Sequence, residues 1–190
     1  MKKTALLAAA MISATVLAMP LVAQQRPDDG PRFTNGISLT FPSDYRSWIF
    51  LGSGLGMTYQ PAGTQLRNPQ FSNVFVNPSA YRQFEQTGTW PDKTVLILEI
   101  RGSESEGSIN KGGYYQVGRL RVEAHIKDSR IPGGWAFYEF SDGKNVAEPM
   151  SGGAVARCNE CHTKNAALDT TFVQFYPTLL DIAKAKGTVK

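Results

Sequence analysis

Apolar and polar residues alternate with the two-residue period of β-strands through the middle of the chain. Residues 94–100 form the most apolar run, interrupted only by Glu99, which is typical of a central strand. Residues 118–127 alternate cleanly, and the β-branched and aromatic stretches 71–76 and 134–140 predict two further strands.

Helical patterns occupy shorter segments around these strands. Residues 43–49 carry the signals of a helix start, and residues 77–88 carry both start and end signals. Residues 169–186 have the pattern of helical turns interrupted by Pro177. Strands outnumber helices in the middle of the chain. This order predicts an α+β fold, with a mainly antiparallel β-sheet, flanking short helices and a C-terminal helix that carries the motif described below.

The first 23 residues have the pattern of a secretory signal peptide. Lys2 and Lys3 precede an apolar stretch from Ala5 to Ala18, and Ala23 is the expected last residue before cleavage. The stretch is shorter than the roughly 20 apolar residues that span a bilayer. We therefore expect export to the periplasm, with no membrane association beyond export.

The 167 residues that remain after cleavage are enough for one domain with its own core. Residues 24–36, rich in Pro, Gly and Asp, predict a flexible N-terminal arm, and residues 37–190 predict a single domain. The formal charge of +4 falls to +2 when the two signal-peptide lysines are removed. Such a balance gives no electrostatic reason to expect a nucleic-acid partner.

Both cysteines of the chain stand in one run, Cys158-Asn159-Glu160-Cys161-His162. Cys-x-x-Cys-His is the attachment signature of a c-type haem, in which two thiols bond the porphyrin and the histidine is the proximal iron ligand. A thioredoxin-like pair would stand at a strand-to-helix turn of a βαβ unit, and a zinc site would need a second pair of ligands. A simple disulfide would leave the adjacent histidine unexplained. The motif therefore predicts one covalent haem c, held by Cys158, Cys161 and His162, with His162 on the metal.

Three residues are considered as a second protein ligand to the iron. His125 shares the polar side of the 118–127 alternation with three charged residues, so we expect it to face solvent rather than the iron. Met57 and Met150 remain candidates for a sixth ligand, and either would favour an electron carrier with a raised potential.

Five motifs resemble, in order, those of the cytochrome P460 family, which includes the cytochromes c′-beta. They cover most of the mature chain, and they are Phe41-Pro42-x-x-Tyr45-Arg46-x-Trp48, Asp92-x-Thr94-Val95, Lys127-Asp128-Ser129, Gly134-Trp135-Ala136-Phe137-Tyr138 and Cys158-x-x-Cys161-His162. The resemblance implies a mono-haem, mainly antiparallel β-fold, a homodimer and a five-coordinate haem with an open distal side.

The resemblance also implies two functions for this fold. Cytochrome P460 proper oxidises hydroxylamine with a haem cross-linked to a lysine, and Leu98 stands where that lysine would be; Lys93 has the wrong strand parity to replace it. The departure favours the c′-beta branch, which binds nitric oxide or CO beneath an aromatic cap. Trp90 occupies the place of that cap, with core packing as the alternative role.

From these positions we expect an apolar distal wall of Leu96, Leu98 and Trp90, which offers no hydrogen-bond donor to a bound gas. The enzyme alternative requires a proton acceptor near the iron, for which Glu139 and Glu148 are candidates. A haem protein without an exchangeable ligand is a third class. The redox partner is not identified by the sequence.

Overall fold

A five-stranded antiparallel sheet forms the centre of the protein in the computed structural model, which describes residues 28–61, 63–64, 68–141 and 143–190. In chain order the elements are β1 (Phe33–Thr34), β2 (Ser38–Thr40), a 3-10 turn (Tyr45–Ser47), β3 (Ile49–Leu55), β4 (Phe71–Val76), α1 (Pro78–Thr87), β5 (Thr94–Glu104), β6 (Tyr115–Lys127), β7 (Trp135–Phe140), β8 (Val146–Ala147), α2 (Gly152–Asn165), a 3-10 turn (Val173–Phe175) and α3 (Pro177–Ala185).

The strands of the central sheet lie in the order β3-β4-β5-β6-β7, and every neighbouring pair is antiparallel. A second sheet has the order β1-β2-β8. The predicted α+β fold, mainly antiparallel β with flanking short helices, is confirmed. The strands at 71–76, 94–100, 118–127 and 134–140 are all present, and β5 and β6 extend further into the connection between them than their patterns predicted.

The central sheet has two covered faces, which the alternation of β5 defines. Val95, Ile97 and Glu99 point to one side, the N-terminal face, where the 41–48 segment and the small sheet pack. Leu96 and Leu98 point to the other side, the helical face, where α1 and α3 pack. Directly opposite residues on neighbouring strands share a face. The register of the sheet therefore assigns the residues of the other strands to one of these two faces.

The predicted flexible arm packs against the domain where the structure describes it, from residue 28 onward. The Asp29 carboxylate accepts hydrogen bonds from the Ser79 backbone N–H, at 2.9 Å, and from the Ser79 hydroxyl, at the start of α1. Phe33 packs against the core of the N-terminal face, with the Arg130 guanidinium 4.5 Å from its ring centroid. The predicted signal peptide lies outside the described residues. Within the described ranges, no helix is both apolar and long enough to cross a membrane.

Two helical predictions need correction. Residues 43–49 form a single 3-10 turn instead of a helix, because the chain enters β3 at Ile49. Pro177 begins α3 instead of interrupting a helix, since the first helical position does not need the N–H that proline lacks. The helix predicted over 77–88 is α1, and Gly88 ends it in the left-handed conformation, with φ of 71°.

One buried carboxylate joins the 41–48 motif to the central strand. Glu99, 3% exposed, accepts hydrogen bonds from the Tyr45 hydroxyl at 3.1 Å, from Arg101 at 2.9 Å and from Arg46. Burial alone would raise the pKa of Glu99, but the hydrogen bonds from Arg46, Arg101 and Tyr45 outweigh it and lower the pKa below its ordinary value of 4.5. Glu99 is therefore ionised at neutral pH and anchors the 45–48 segment on the sheet.

We expect Glu99→Gln to destabilise the fold by about 1–2 kcal/mol at pH 7, because it removes charge-assisted hydrogen bonds while keeping the shape of the side chain. The folded-state pKa of Glu99 is depressed, so its contribution is present above pH 4.5 and is lost as the pH falls below that value. Urea unfolding at pH 7 and pH 3 measures both effects. Glu104→Gln, an exposed carboxylate of the same strand, is the control; an equal loss of stability in both variants would contradict the prediction.

Candidate functional site

Helix α2 carries the Cys-x-x-Cys-His motif and places its three side chains together. Cys158, Cys161 and His162 stand at positions i, i+3 and i+4, which lie on one side of a helix. Both cysteines are free thiols. None of the 14 residues of α2 is buried, although most helices in proteins are stabilised by packing an apolar face. Helix α2 therefore lacks a buried apolar face of its own, and its two thiols are only half-buried.

The ring of His162 is fixed by a hydrogen bond and by neighbouring aromatic side chains. Its Nδ1 atom lies 2.6 Å from the Thr170 carbonyl oxygen. A carbonyl only accepts, so Nδ1 carries the proton and Nε2 keeps a free lone pair. Phe137 and Phe172 contact the ring edge to face, with centroids 4.8 Å and 4.5 Å away. Burial lowers the pKa of His162, which favours the neutral imidazole that binds metals.

The prediction that His125 faces solvent is wrong. His125 is 8% exposed, its ring is stacked on Phe137 at 4.1 Å, and it contacts the His162 ring edge to face at 5.1 Å. Burial lowers the pKa of His125 well below 6.5, so the ring is neutral. Because the two imidazoles touch, no porphyrin fits between them, and His125 supports His162 from the same side instead of acting as a ligand opposite to it.

The polar side of the β6 alternation is covered around His125, where the rings of Phe137 and His162 pack on it, while Arg121 stays exposed. Glu123 lies directly opposite Leu98 of β5 and Glu139 of β7. Its carboxylate accepts a hydrogen bond from Arg121 at 2.6 Å. Burial, and then the charge of Glu123, raises the pKa of the Cys158 thiol, which shows that Glu123 lies near the motif.

The expected distal wall of Leu96, Leu98 and Trp90 is only partly available. Leu96 is 5% exposed and Trp90 is 3% exposed. Trp90 packs on Phe84 at 4.3 Å and donates a hydrogen bond to the Thr171 hydroxyl at 2.8 Å. With so little free surface, Trp90 has the core-packing role instead of that of a cap. Leu98 alone of the three is half-buried, on the helical face.

Exposed apolar side chains lie around the same part of the helical face. Phe175, 52% exposed, stacks with Phe172 at 5.9 Å, and a Cβ atom built at Gly52 would lie 3.2 Å from the Phe175 carbonyl oxygen. Met57 is 53% exposed, and its sulfur occupies the place that a side chain at Gly54 would fill. Large exposed apolar groups of this kind mark surfaces that a ligand or a partner covers.

The two candidate proton acceptors are separated by the fold. Glu139 is exposed on the helical face, opposite Glu123. Glu148 instead accepts a hydrogen bond from the Ser38 hydroxyl at 2.6 Å, in the small sheet. The second candidate methionine, Met150, donates its backbone N–H to the Phe137 carbonyl at 2.8 Å.

The residues that sequence reasoning missed are Thr170, Phe172, Phe137 and Glu123. Thr170 acts through a backbone carbonyl, which no residue type reveals. The register of the sheet would have identified Phe137 and Glu123. Glu123 is paired with Leu98, and Phe137 is aligned with Leu96 through His125, so both lie on the helical face.

A model of the family described as Cytochrome P460 matches residues 42–173, which is more than half of the chain. The chain belongs to the cytochrome P460 family. Membership makes it a c-type haem protein, since this family binds haem c. No curated protein matches the chain.

The residues present fit the haem of a cytochrome P460. Two free thiols and an imidazole with a free Nε2 lie on one side of α2, and none of the residues of this helix is buried. The half-buried Leu98 and the exposed Phe175 offer apolar surface to a porphyrin. Among the described residues, no three His, Cys, Asp or Glu side chains form a cluster that could hold a metal ion by themselves.

We expect His125→Phe to keep the absorption spectrum of the haem protein, because the ring stacks on Phe137 without facing the metal side of His162. His162→Gly should lose the proximal ligand, and added imidazole should restore its spectrum. Absorption spectra of the ferric and ferrous forms measure both. A changed axial ligation in His125→Phe would contradict the assignment.

Proposed function

We propose that this cytochrome P460 is a periplasmic protein with one covalent haem c, a single protein ligand to the iron and an open distal side that binds nitric oxide or CO. Such a protein resembles the cytochromes c′-beta. When bound, the haem supplies an iron with a vacant coordination position. The rest of the proposal concerns how the chain binds, orients and encloses that group.

The observation that carries the proposal is the state of the two histidines. His162 is oriented by Thr170 with Nε2 free, and His125 is packed on the same side of that ring. The chain has no third histidine. Opposite His162, only a methionine remains as a candidate sixth ligand, and the Met57 sulfur lies against Gly54 of the sheet.

The position of Leu98 argues against the lysine cross-link of the hydroxylamine-oxidising proteins. Leu98 lies on the helical face, two residues along β5 from Leu96. Leu96 is directly paired with His125 of β6. The Lys93 side chain lies instead beside Gly30 at the N-terminal segment, where a Cβ atom at Gly30 would be 3.4 Å from the Lys93 Cβ. A leucine gives the haem an apolar contact and cannot form the bond that an amine forms.

The charges on the helical face favour a neutral ligand. Glu123 and Glu139 lie opposite each other, and only Glu123 is paired, with Arg121. Two neighbouring carboxylates repel anions, so an uncharged diatomic approaches this face at less electrostatic cost than azide, cyanide or nitrite. Neither carboxylate donates a hydrogen bond, which agrees with a preference for nitric oxide or CO over O₂.

Oxidation of hydroxylamine is the second candidate function, and Glu139 is the observation that favours it. Glu139 is exposed on the helical face, so it could accept the protons that this oxidation releases. For both functions we propose the homodimer that the family resemblance implies and a redox partner protein that exchanges electrons with the haem.

We expect the ferrous protein, purified after expression with haem attachment, to be five-coordinate and to change its absorption spectrum when nitric oxide is added. The reason is that the only other histidine is packed beside His162. A six-coordinate low-spin spectrum in both oxidation states would contradict the open site, and Met57→Leu and Met150→Leu would then identify the ligand. Sustained hydroxylamine turnover with an artificial acceptor would favour the enzyme instead.

We expect the double variant Cys158→Ser/Cys161→Ser to lose all haem on a denaturing gel stained for haem, because both thiols of the chain are removed. Asn159→Ala, an exposed residue of the same helix, is the control and should retain the stain. Stained protein in the double variant, or unstained wild-type protein, would contradict covalent attachment through these thiols.

A further inference from the structure

The Thr170 carbonyl that accepts the His162 proton belongs to a tight turn, residues 168–171. The backbone groups of Leu168 and Thr171 bond each other, with N···O distances of 2.8 Å and 3.4 Å. Asp169, inside the turn, has a φ of 54°, a left-handed conformation that non-glycine residues adopt only when their surroundings hold them there.

The Asp169 side chain ties this turn to the helical face of the sheet. Its Oδ2 atom accepts hydrogen bonds from Lys127 Nζ at 2.9 Å and from Trp135 Nε1 at 3.0 Å. Lys127 Nζ also donates to the Trp90 carbonyl oxygen at 3.1 Å. The residues that hold Asp169 therefore come from the end of β6 and the start of β7, where Lys127 and Trp135 are directly paired.

We propose that Lys127 and Asp169 are positioning residues: their ion pair holds the Thr170 carbonyl on His162 Nδ1 and thereby sets the strength of the iron–histidine bond and the reduction potential. Helix α2 buries none of its residues, and Phe137 and Phe172 contact the His162 ring without bonding it, so the Thr170 carbonyl is the one polar contact that orients the ring among the described residues. The turn is fixed to the sheet through Asp169, and it presents the carbonyl next to that residue to the ring. This inference rests on the proposed role of His162 as the iron ligand.

The direction of the effect follows from the hydrogen bond. A carbonyl held firmly on Nδ1–H raises the basicity of Nε2, which strengthens its bond to iron and stabilises the ferric state. Loosening the turn should therefore lower the iron–histidine stretching frequency of the ferrous protein and raise its reduction potential.

The electrostatic effect of removing a side-chain charge, taken alone, predicts a different shift in reduction potential for one of the two residues. Removing the Asp169 carboxylate raises the potential by simple electrostatics as well. Removing the Lys127 ammonium, however, stabilises the ferric state electrostatically and lowers the potential. Lys127→Gln thus separates the two explanations, since positioning and charge shift its potential in opposite directions.

The experiment compares the ferrous iron–histidine stretch by resonance Raman spectroscopy and the potential by redox titration, in holoprotein of Asp169→Asn, Lys127→Gln and Lys127→Arg. We expect a lower frequency and a higher potential in the first two, with both values restored toward wild type in Lys127→Arg. Asp128→Asn, which breaks the neighbouring ion pair with Arg130 without touching the turn, is the control for lost stability and should leave the frequency unchanged.

An unchanged frequency in Lys127→Gln, or a lower potential in that variant, would overturn the inference. Lys127 is partly exposed, so Lys127→Gln keeps the test decisive if Asp169→Asn fails to fold. Failure of the proposed function would give a different result, because the iron of the wild-type protein would then be six-coordinate and the five-coordinate iron–histidine band would be missing. In that case the sign of the shift in reduction potential in Lys127→Gln would still decide the inference.

Discussion

The hydrogen bond between His162 and the Thr170 carbonyl is the interaction on which the haem site depends. It selects the tautomer, aims Nε2 away from the 168–171 turn and fixes a ring that stands on a helix without buried residues. The turn that supplies the carbonyl is itself anchored by Asp169 to the edge of the helical face. The ring of His162, the proposed proximal ligand, is thus oriented by the sheet through the turn that follows α2.

One face of the central sheet contributes mainly to stability, and the other face carries the residues of the proposed haem site. On the N-terminal face, Glu99 is buried and bound by two arginines and a tyrosine, and the neighbouring side chains form a closed apolar core. On the helical face, α1 and α3 cover one part of the sheet, and the rest carries Leu98, Glu123 and the ring of His125. One strand, β5, serves both layers, because its successive side chains alternate between them.

The sequence was sufficient for the strands, the fold class and the haem motif, because each has a local signature. It failed for His125, because alternation predicts which residues share a face and does not show whether another layer covers that face. Its three charged neighbours on that side suggested solvent, yet the rings of Phe137, Trp135 and His162 pack on His125, and Lys127 bonds Asp169 of the 168–171 turn. For Trp90 the sequence left a cap and core packing open for a related reason, since its position beside a motif does not show the Phe84 ring that packs on it.

Helix α2 shows why the haem belongs to the fold as much as to the function. An isolated helix of 14 residues is marginal in water, and helices in proteins are usually stabilised by an apolar face packed on a core. Here the residues facing the sheet are two thiols and an imidazole, and apolar side chains such as Phe175 and Met57 are left exposed beside them. A porphyrin bonded at these thiols, as proposed above, would supply the apolar surface that the helix lacks. Its attachment and the packing of α2 would then stabilise the folded chain together.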